Sequence, residues 1–333
     1  MSSRAERRAV QDAQRAAKAL AGLTDAACEI VLVRHGETQW NVEQRLQGQL
    51  VPGPGLTGRG RQQAAVLAAR LQSERFDCAY SSDLLRATET ADIVAGGLLR
   101  SGWSNGCTAA GDCGGGCEGG GAGAAAVSGC CTGGEGCSAG GQQAAARAGH
   151  AADEVGAAGA DVQLDPQLRE RHLGLLQGLT RAEAAELHPE AYRALSEPGL
   201  ASVGGLETLE QLEARAEQVL EELAARHPGQ RLLVVTHGGF LSAAYKRAAG
   251  HPLFGKNVNA AINTLRIDAA AAPGQAAAAG RPAGGAAAAA APGGTGAAGQ
   301  RRQAAWAVVR WGDADHLQGV GALASAFGGG TAG

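Results

Sequence analysis

An α/β domain around a mostly parallel central sheet is the fold the sequence predicts, on two observations. Cys28-Glu-Ile-Val-Leu-Val-Arg34, Phe76–Tyr80 and Arg231-Leu-Leu-Val-Val-Thr236 are short and almost continuously apolar, the pattern of strands buried on both faces. Each is followed by residues at helical spacing, and strand-then-helix units in succession imply parallel strands joined by crossovers.

Taken in order, residues 1–27 form a polar, Ala/Arg-rich helix or tail, helical from Arg4 through Leu20. The arginines suit an organelle transit segment and the acids Glu6, Asp12 and Asp25 oppose one, so the expected compartment is the cytoplasm, with the chloroplast as alternative. The first strand then delivers Arg34-His35-Gly36 at its C-terminal tip. A helix over Thr57–Leu71 carries Ala64, Leu67, Ala68 and Leu71 on one face. The strand Phe76–Tyr80 leads through Ser81-Ser82-Asp83 into a helix bearing Arg86. Gly-Gly-Gly and Ala-Ala-Ala runs without periodicity mark residues 96–160 as a disordered insertion. Order resumes at Val162-Gln-Leu-Asp-Pro166. Thr180 with Glu183, and Thr208 with Gln211, have the spacing of capping boxes, which satisfy free amides at a helix start. In the second helix Leu209, Leu212, Ala216, Val219, Leu220 and Leu223 form one apolar stripe, which is core rather than a cofactor pocket. The strand Arg231–Thr236 ends in His237-Gly238. Ile262–Ile267 and Ala304–Trp311 read as two further strands, on either side of an Ala/Gly/Pro tract at 269–302. Residues 28–320 are thus one domain with two surface insertions, which cost little in chain entropy, and 321–333 are a flexible tail.

Composition narrows the class. The formal charge is −3 and the isoelectric point about 6.3, with Lys and Arg scattered rather than gathered, which argues against nucleic acid as partner. No apolar run approaches the roughly 18 residues a membrane span needs. Of the eight cysteines, Cys107, Cys113, Cys117, Cys130, Cys131 and Cys137 fall in the first Gly/Ala-rich tract at irregular spacings that fit reduced thiols in a loop better than a zinc site. Cys28 and Cys78 adjoin apolar runs and read as small core residues.

Two buried strands that each end in His-Gly are uncommon. The strand tips of a parallel sheet share one rim, where ligands bind, so His35 and His237 belong to one crevice. Arg34-His35-Gly36-Glu37-Thr38-Gln39-Trp40-Asn41 resembles the signature of the histidine phosphatase superfamily, in its phosphoglycerate mutase-like branch. Ser81-Ser82-Asp83-Leu-Leu-Arg86-Ala-Thr-Glu-Thr-Ala is similar to that family's second motif, Leu168-Arg-Glu170-Arg-His172-Leu-Gly174 to its third, and Thr236-His237-Gly238-Gly239 to its fourth, all in family order. The tail Trp311-Gly-Asp-Ala-Asp-His316-Leu with Phe327-Gly-Gly, and Arg169-Glu-Arg-His-Leu-Gly, resemble the plant and algal members.

The resemblance implies a three-layer α/β/α sandwich and a phosphatase acting through a phosphohistidine. His35 matches the nucleophile; a neutral imidazole attacks phosphorus if an acceptor such as a backbone carbonyl holds its other N–H. Arg34 and Arg86 would hold the phosphoryl oxygens as planar forks, with Asn41, His237 and Gly238 completing the cradle at a helix N-terminus. Glu170 matches the acid that protonates the leaving alkoxide, a role that like charge beside a dianionic substrate favours. Gln47, Gly48 and Glu207 match positions on the substrate side. Two departures stand there: Val51-Pro-Gly-Pro-Gly-Leu56 replaces a stretch where relatives often carry an Asp, and Leu206 stands where Gly is usual. No metal and no cofactor is implied, because arginines and histidines carry the charge a metal would otherwise neutralise.

The expected function is therefore metal-independent hydrolysis of a small phosphorylated metabolite of the sugar phosphate, phosphoglycerate or phosphoserine type. The partner is that metabolite, with neither nucleic acid nor membrane, and with a homodimer as the assembly to test. A bisphosphoglycerate-dependent mutase is the alternative. The segment from Leu187 to Gly205 is short, with Arg193 alone where mutases carry paired basic residues, which favours hydrolysis. A catalytically silent phospholigand-binding protein is the second alternative, and the presence of Arg34, His35, Arg86, Glu170 and His237 counts against it. A nucleotide-binding turn of the Gly-x-Gly-x-x-Gly type does not follow the first strand.

Overall fold

The computed structural model describes residues 4–103, 162–195, 197, 203–255, 257–269 and 304–321. The expected Cys-rich stretch and most of the two low-complexity tracts lie outside the described residues, as does the tail after residue 321. In chain order the elements are helix α1 (Arg4–Ala21), strand β1 (Cys28–Arg34), the short helix α2 (Gln39–Val42), α3 (Gly58–Leu71), β2 (Cys78–Ser81), α4 (Leu85–Arg100), β3 (Gln163–Leu164), α5 (Arg181–Leu187), α6 (Pro189–Ala194), α7 (Leu209–Arg226), β4 (Arg231–Thr236), α8 (Gly238–Ala249), β5 (Ile262–Asp268) and β6 (Ala305–Asp313).

The sheet runs β3-β2-β4-β1-β5-β6. β1, β2, β3 and β4 are mutually parallel, while β5 pairs antiparallel with β1 and β6 antiparallel with β5. Alternation along β1 divides the core. Ile30 and Leu32 pack with Leu212, Leu220 and Leu223 of α7 and with Phe240 and Leu241 of α8. Val31 and Val33 pack with Ala64, Leu67 and Leu71 of α3 and with Val94 and Leu98 of α4. Helices therefore cover both faces, as the continuous apolar runs require, and each fully buried Leu or Val stabilises the fold by about 1.5–3 kcal/mol. The three layers match the expected architecture.

The boundaries expected from the sequence hold in most places. Thr57, Thr180 and Thr208 each accept the amide of the third helical residue at 3.0, 3.2 and 3.1 Å, and Thr180–Glu183 and Thr208–Gln211 close full capping boxes. One boundary moves. The stretch from residue 96, expected to be disordered, begins inside α4, which continues to Arg100 with Leu98 buried. Gly96 and Gly97 continue the helix, and a Cβ on Gly97 would stand 2.6 Å from that of Ala68. The missing side chain lets α4 lie close against α3, an advantage that outweighs the roughly 1 kcal/mol a helical glycine costs.

The start of α3 is packed more tightly still. A Cβ on Gly60 would stand 2.1 Å from the carbonyl oxygen of Glu37, and one on Gly36 2.6 Å from that of Gly60. These contacts are with backbone, which cannot step aside. Gly60→Ala is expected to cost about 1–3 kcal/mol as an overpacked core position, read as a lower urea midpoint at unchanged slope. An unchanged midpoint would mean that the loop after β1 yields.

Candidate active site

The parallel pairing of Arg34 with Thr236 continues for one residue past the sheet, where the amide of His35 donates to the carbonyl of Thr236 at 3.0 Å. The two strand tips thus lie side by side, with the rings of His35 and His237 5.2 Å apart between centroids and inclined by 52°. Both histidines are buried, as are Arg34 and Arg86. Arg34 comes from the end of β1 and Arg86 from the first turn of α4.

His35 Nδ1 lies 2.8 Å from the carbonyl oxygen of Gly36. A carbonyl can only accept, so Nδ1 carries the hydrogen and Nε2 is the bare nitrogen. Burial foremost, then the charges of Arg34 and Arg86, push the imidazole well below its ordinary 6.5 against the opposing pull of the Gly36 carbonyl, leaving it neutral at neutral pH. His237 is lowered for the same first reason, followed by Arg86, His35, Arg34 and Arg215. His237 Nε2 is 2.8 Å from Ser82 Oγ, which also accepts the amide of Leu84 at 3.3 Å. If the hydroxyl donates to Nε2, every proton of Ser82 is placed and Nδ1–H becomes a donor.

Each arginine spends one arm on the backbone: Arg34 Nη1 donates to the carbonyl of Asn257 at 2.8 Å, and Arg86 Nη2 to that of Gly48 at 3.0 Å. Burial draws each guanidinium down to about 10, with Glu170 acting in the opposite direction. The Nε of Arg34, the Nε of Arg86 and Nδ1 of His237 are buried without a hydrogen-bond partner. Buried donors without partners are costly. Three of them on neighbouring cationic and neutral groups form a site suited to an oxyanion.

Glu170 is buried at the edge of this cluster. Its Oε1 accepts the amide of Arg171 at 2.8 Å and its Oε2 that of Gly239 at 3.0 Å. Any Cβ on Gly239 would stand 2.3 Å from Oε1, so the second residue of α8 is small because the carboxylate lies against it. Of the amides after His237 that the sequence suggested for the anion, Gly239's is therefore taken by Glu170. Gly238 opens the 12-residue α8, with His237 as its N-cap.

The remaining sequence candidates have narrower roles. Asn41 Oδ1 caps α2 by accepting the amide and hydroxyl of Thr38 at 3.0 and 3.1 Å, and also accepts from Asn259 Nδ2 at 3.3 Å. Gln47 is buried, and its Oε1, at 2.9 Å, shares the one Thr38 hydroxyl proton with Asn41 Oδ1. Gly48 presents its carbonyl to Arg86, and a Cβ there would stand 2.2 Å from Gln177 Oε1. Glu207, suggested for the substrate side, has both oxygens held by Arg215 at 2.9 Å and also accepts the amide of His172 at 2.9 Å. Leu206 points away from the crevice into a cluster with Leu46, Leu173 and Leu176.

Sequence reasoning assigned no role to Ser82, Gln49, Arg215, Asn257 or Asn259. Asn259 donates to the carbonyl of His35 at 2.9 Å, and Asn257 Nδ2 to that of Gly238 at 2.7 Å. The available signal was Asn257-Val-Asn259, a polar pair immediately before a buried strand.

Residues 30–101 and 144–272 match the model of the histidine phosphatase superfamily (branch 1). The chain belongs to the histidine phosphatase superfamily. It is 31% identical over 305 residues to phosphoglycerate mutase-like protein 4 of Arabidopsis thaliana, covering 90% of this chain and 92% of that protein. It is also 31% identical over 304 residues to the metal-independent phosphoserine phosphatase of the same plant, covering 90% and 88%. Among solved structures, Bacillus stearothermophilus YhfR aligns at 26% identity with a TM-score of 0.50, covering 74% of this chain and 94% of that one.

In this member of the histidine phosphatase superfamily the two depressed imidazoles link stability to pH. The unfolded chain takes up their protons near 6.5, before the folded chain does, so their contribution is full above that pH and is lost as pH falls below it. From about pH 7.5 to about pH 5 the ligand-free His35→Asn/His237→Asn double variant is expected to lose less Tm than wild type. Equal losses would show that the folded protein protonates these rings freely.

Proposed function

We propose that the protein is a phosphomonoesterase that passes the phosphoryl group of a small phosphorylated metabolite through His35 to water. The observation that supports this reading is the 2.8 Å contact of His35 Nδ1 with the Gly36 carbonyl, which leaves Nε2 as the unprotonated, nucleophilic nitrogen of a ring buried beside His237. In the first half-reaction Nε2 forms a bond to phosphorus as the ester P–O bond breaks, and Glu170 gives its proton to the departing alkoxide. In the second, Glu170 takes a proton from water, whose oxygen displaces Nε2 and releases inorganic phosphate. The two guanidinium groups and His237 Nδ1–H stabilise the charge on the transferring group in both steps.

The relatives support a phosphoserine or phosphoglycerate substrate, one being a phosphoserine phosphatase, and sugar phosphates complete the panel of esters to be assayed. Another, equally similar, is a phosphoglycerate mutase-like protein, so the decisive assay separates release from isomerisation. A panel of these esters, with chelator present, is expected to yield phosphate without metal and without isomerisation of phosphoglycerate primed by bisphosphoglycerate. Isomerisation without release would establish a mutase; binding with neither would establish a silent receptor. His35→Ala is expected to remove at least about a thousandfold of kcat, and a fully active variant would refute the assignment. Glu170→Gln is expected to slow transfer by roughly a hundredfold or more, most strongly from poor leaving groups.

A further inference from the structure

The segment carrying Glu170 has little regular structure of its own: a single 3-10 turn at Pro166–Leu168 precedes it and another at Gly174–Leu176 follows. Its backbone is instead held from outside by side chains: Thr236 takes the carbonyl of Leu168 and Gln49 that of Glu170, each at 2.7 Å, and Arg215 takes three. Arg215, in the second turn of α7, donates through Nη1 to the carbonyls of Gln167 at 2.6 Å and Arg169 at 2.9 Å, and through Nη2 to that of Glu170 at 3.3 Å. Its Nε and Nη2 also grip the two oxygens of Glu207 at 2.9 Å each. Glu207 in turn accepts the amide of His172 through its carboxylate, donates its own amide to the His172 carbonyl at 2.8 Å, and offers its carbonyl to Arg171 Nε at 2.6 Å. The Arg215–Glu207 pair is 16% and 14% exposed, so it is largely shielded from water.

We propose that Arg215 is the positioning residue of the acid: together with Glu207 it fixes the backbone from Gln167 to His172 and thereby aims the Glu170 carboxyl at the leaving-group oxygen. Arg215 touches no reacting atom. Its charge is paired with Glu207, so what it contributes to the acid is geometric, and a planar fork with donors at Nε, Nη1 and Nη2 performs it where a lysine's single ammonium cannot. Proton transfer depends steeply on placement, so a loosened Glu170 fails first where the leaving alkoxide most needs its proton. This inference rests on the phosphatase reading above.

The test measures kcat/KM, which reports the step that breaks the ester bond, on a series of aryl and alkyl phosphomonoesters of rising leaving-group pKa. Wild type, Arg215→Lys, Arg215→Ala and Glu207→Gln are compared, with Glu170→Gln as the reference for a lost acid. Both Arg215 variants are expected to stay within about threefold of wild type on the ester with the most acidic alcohol and to fall roughly ten- to a hundredfold on alkyl esters. Added guanidinium ion restores part of the alkyl-ester rate to Arg215→Ala. A uniform loss across the series, as a merely structural role gives, overturns the inference, and so does no loss. If Arg215→Ala does not fold, Arg215→Lys and Glu207→Gln decide, since both keep the volume of the pair. A wild type that hydrolyses none of the esters overturns the phosphatase reading together with this one. Leaving-group dependence in Glu170→Gln but not in the Arg215 or Glu207 variants overturns this inference alone.

Discussion

The register of β1 against β4 is the constraint on which the rest of the molecule depends. Both strands are apolar on both faces, so alternation of side chains sets their pairing only weakly; a one-residue slip would exchange one apolar set for another. The ends of the strands fix it instead. At the start, Arg231 pairs with Glu29 across the strands at 2.7 Å while its amide donates to Asp77 at 2.7 Å. At the far end the His35 amide meets the Thr236 carbonyl. With the register pinned at both ends, the residues after each strand have one relative placement, and the two histidines face one another without any contact between their side chains having to hold them there.

Placing two arginines and two histidines in one buried corner works against folding, because each guanidinium is drawn out of water beside another. The fold offsets this with groups that impose no opposing cation: the carbonyls of Asn257, Gly48 and Gly36, and the carboxylate of Glu170. It leaves other donors buried and unmatched. On the proposed reading an anionic ligand relieves that unfavourable energy, and its binding to the folded chain alone adds to stability by mass action. The same corner is thus a weak point of the ligand-free fold and the source of its affinity.

What was legible in the sequence follows from the distance over which each determinant acts. Strands, caps and the apolar stripe of α7 are local patterns, and they were readable. So was the pairing of His35 with His237, since parallel strands must present their tips together. The insertion was expected to start at residue 96, inside α4, because the reason for a helical glycine at Gly97 lies in Ala68 on a neighbouring helix. The work of Glu207 was misplaced for a related cause: its partner Arg215 is two turns into α7, where an arginine on an amphipathic helix reads as solvent-facing. Ser82, Asn257 and Asn259 act through backbone carbonyls and ring nitrogens of residues distant in the chain, and no local spacing marks such contacts.

The substrate side is built on different terms from the phosphate side. Residues 46–56 carry no charged side chain, so on the proposed reading recognition by this loop would rest on backbone groups, the amides of Gln47 and Gln49, and the exposed Leu50 and Val51. The carboxylate that anchors it comes from α4: Glu89 accepts the amide of Leu56 at 2.6 Å. Arg86 lies one turn earlier on the same helix and binds the loop at Gly48. Phosphate grip and substrate loop are therefore referred to one rigid element, while Gln49 ties the loop to the Glu170 carbonyl at 2.7 Å. Changes at Leu50 and Val51 can therefore alter the face the loop presents while His35 stays fixed by the sheet and Arg86 by α4; a change at Gln49 also reaches the Glu170 backbone.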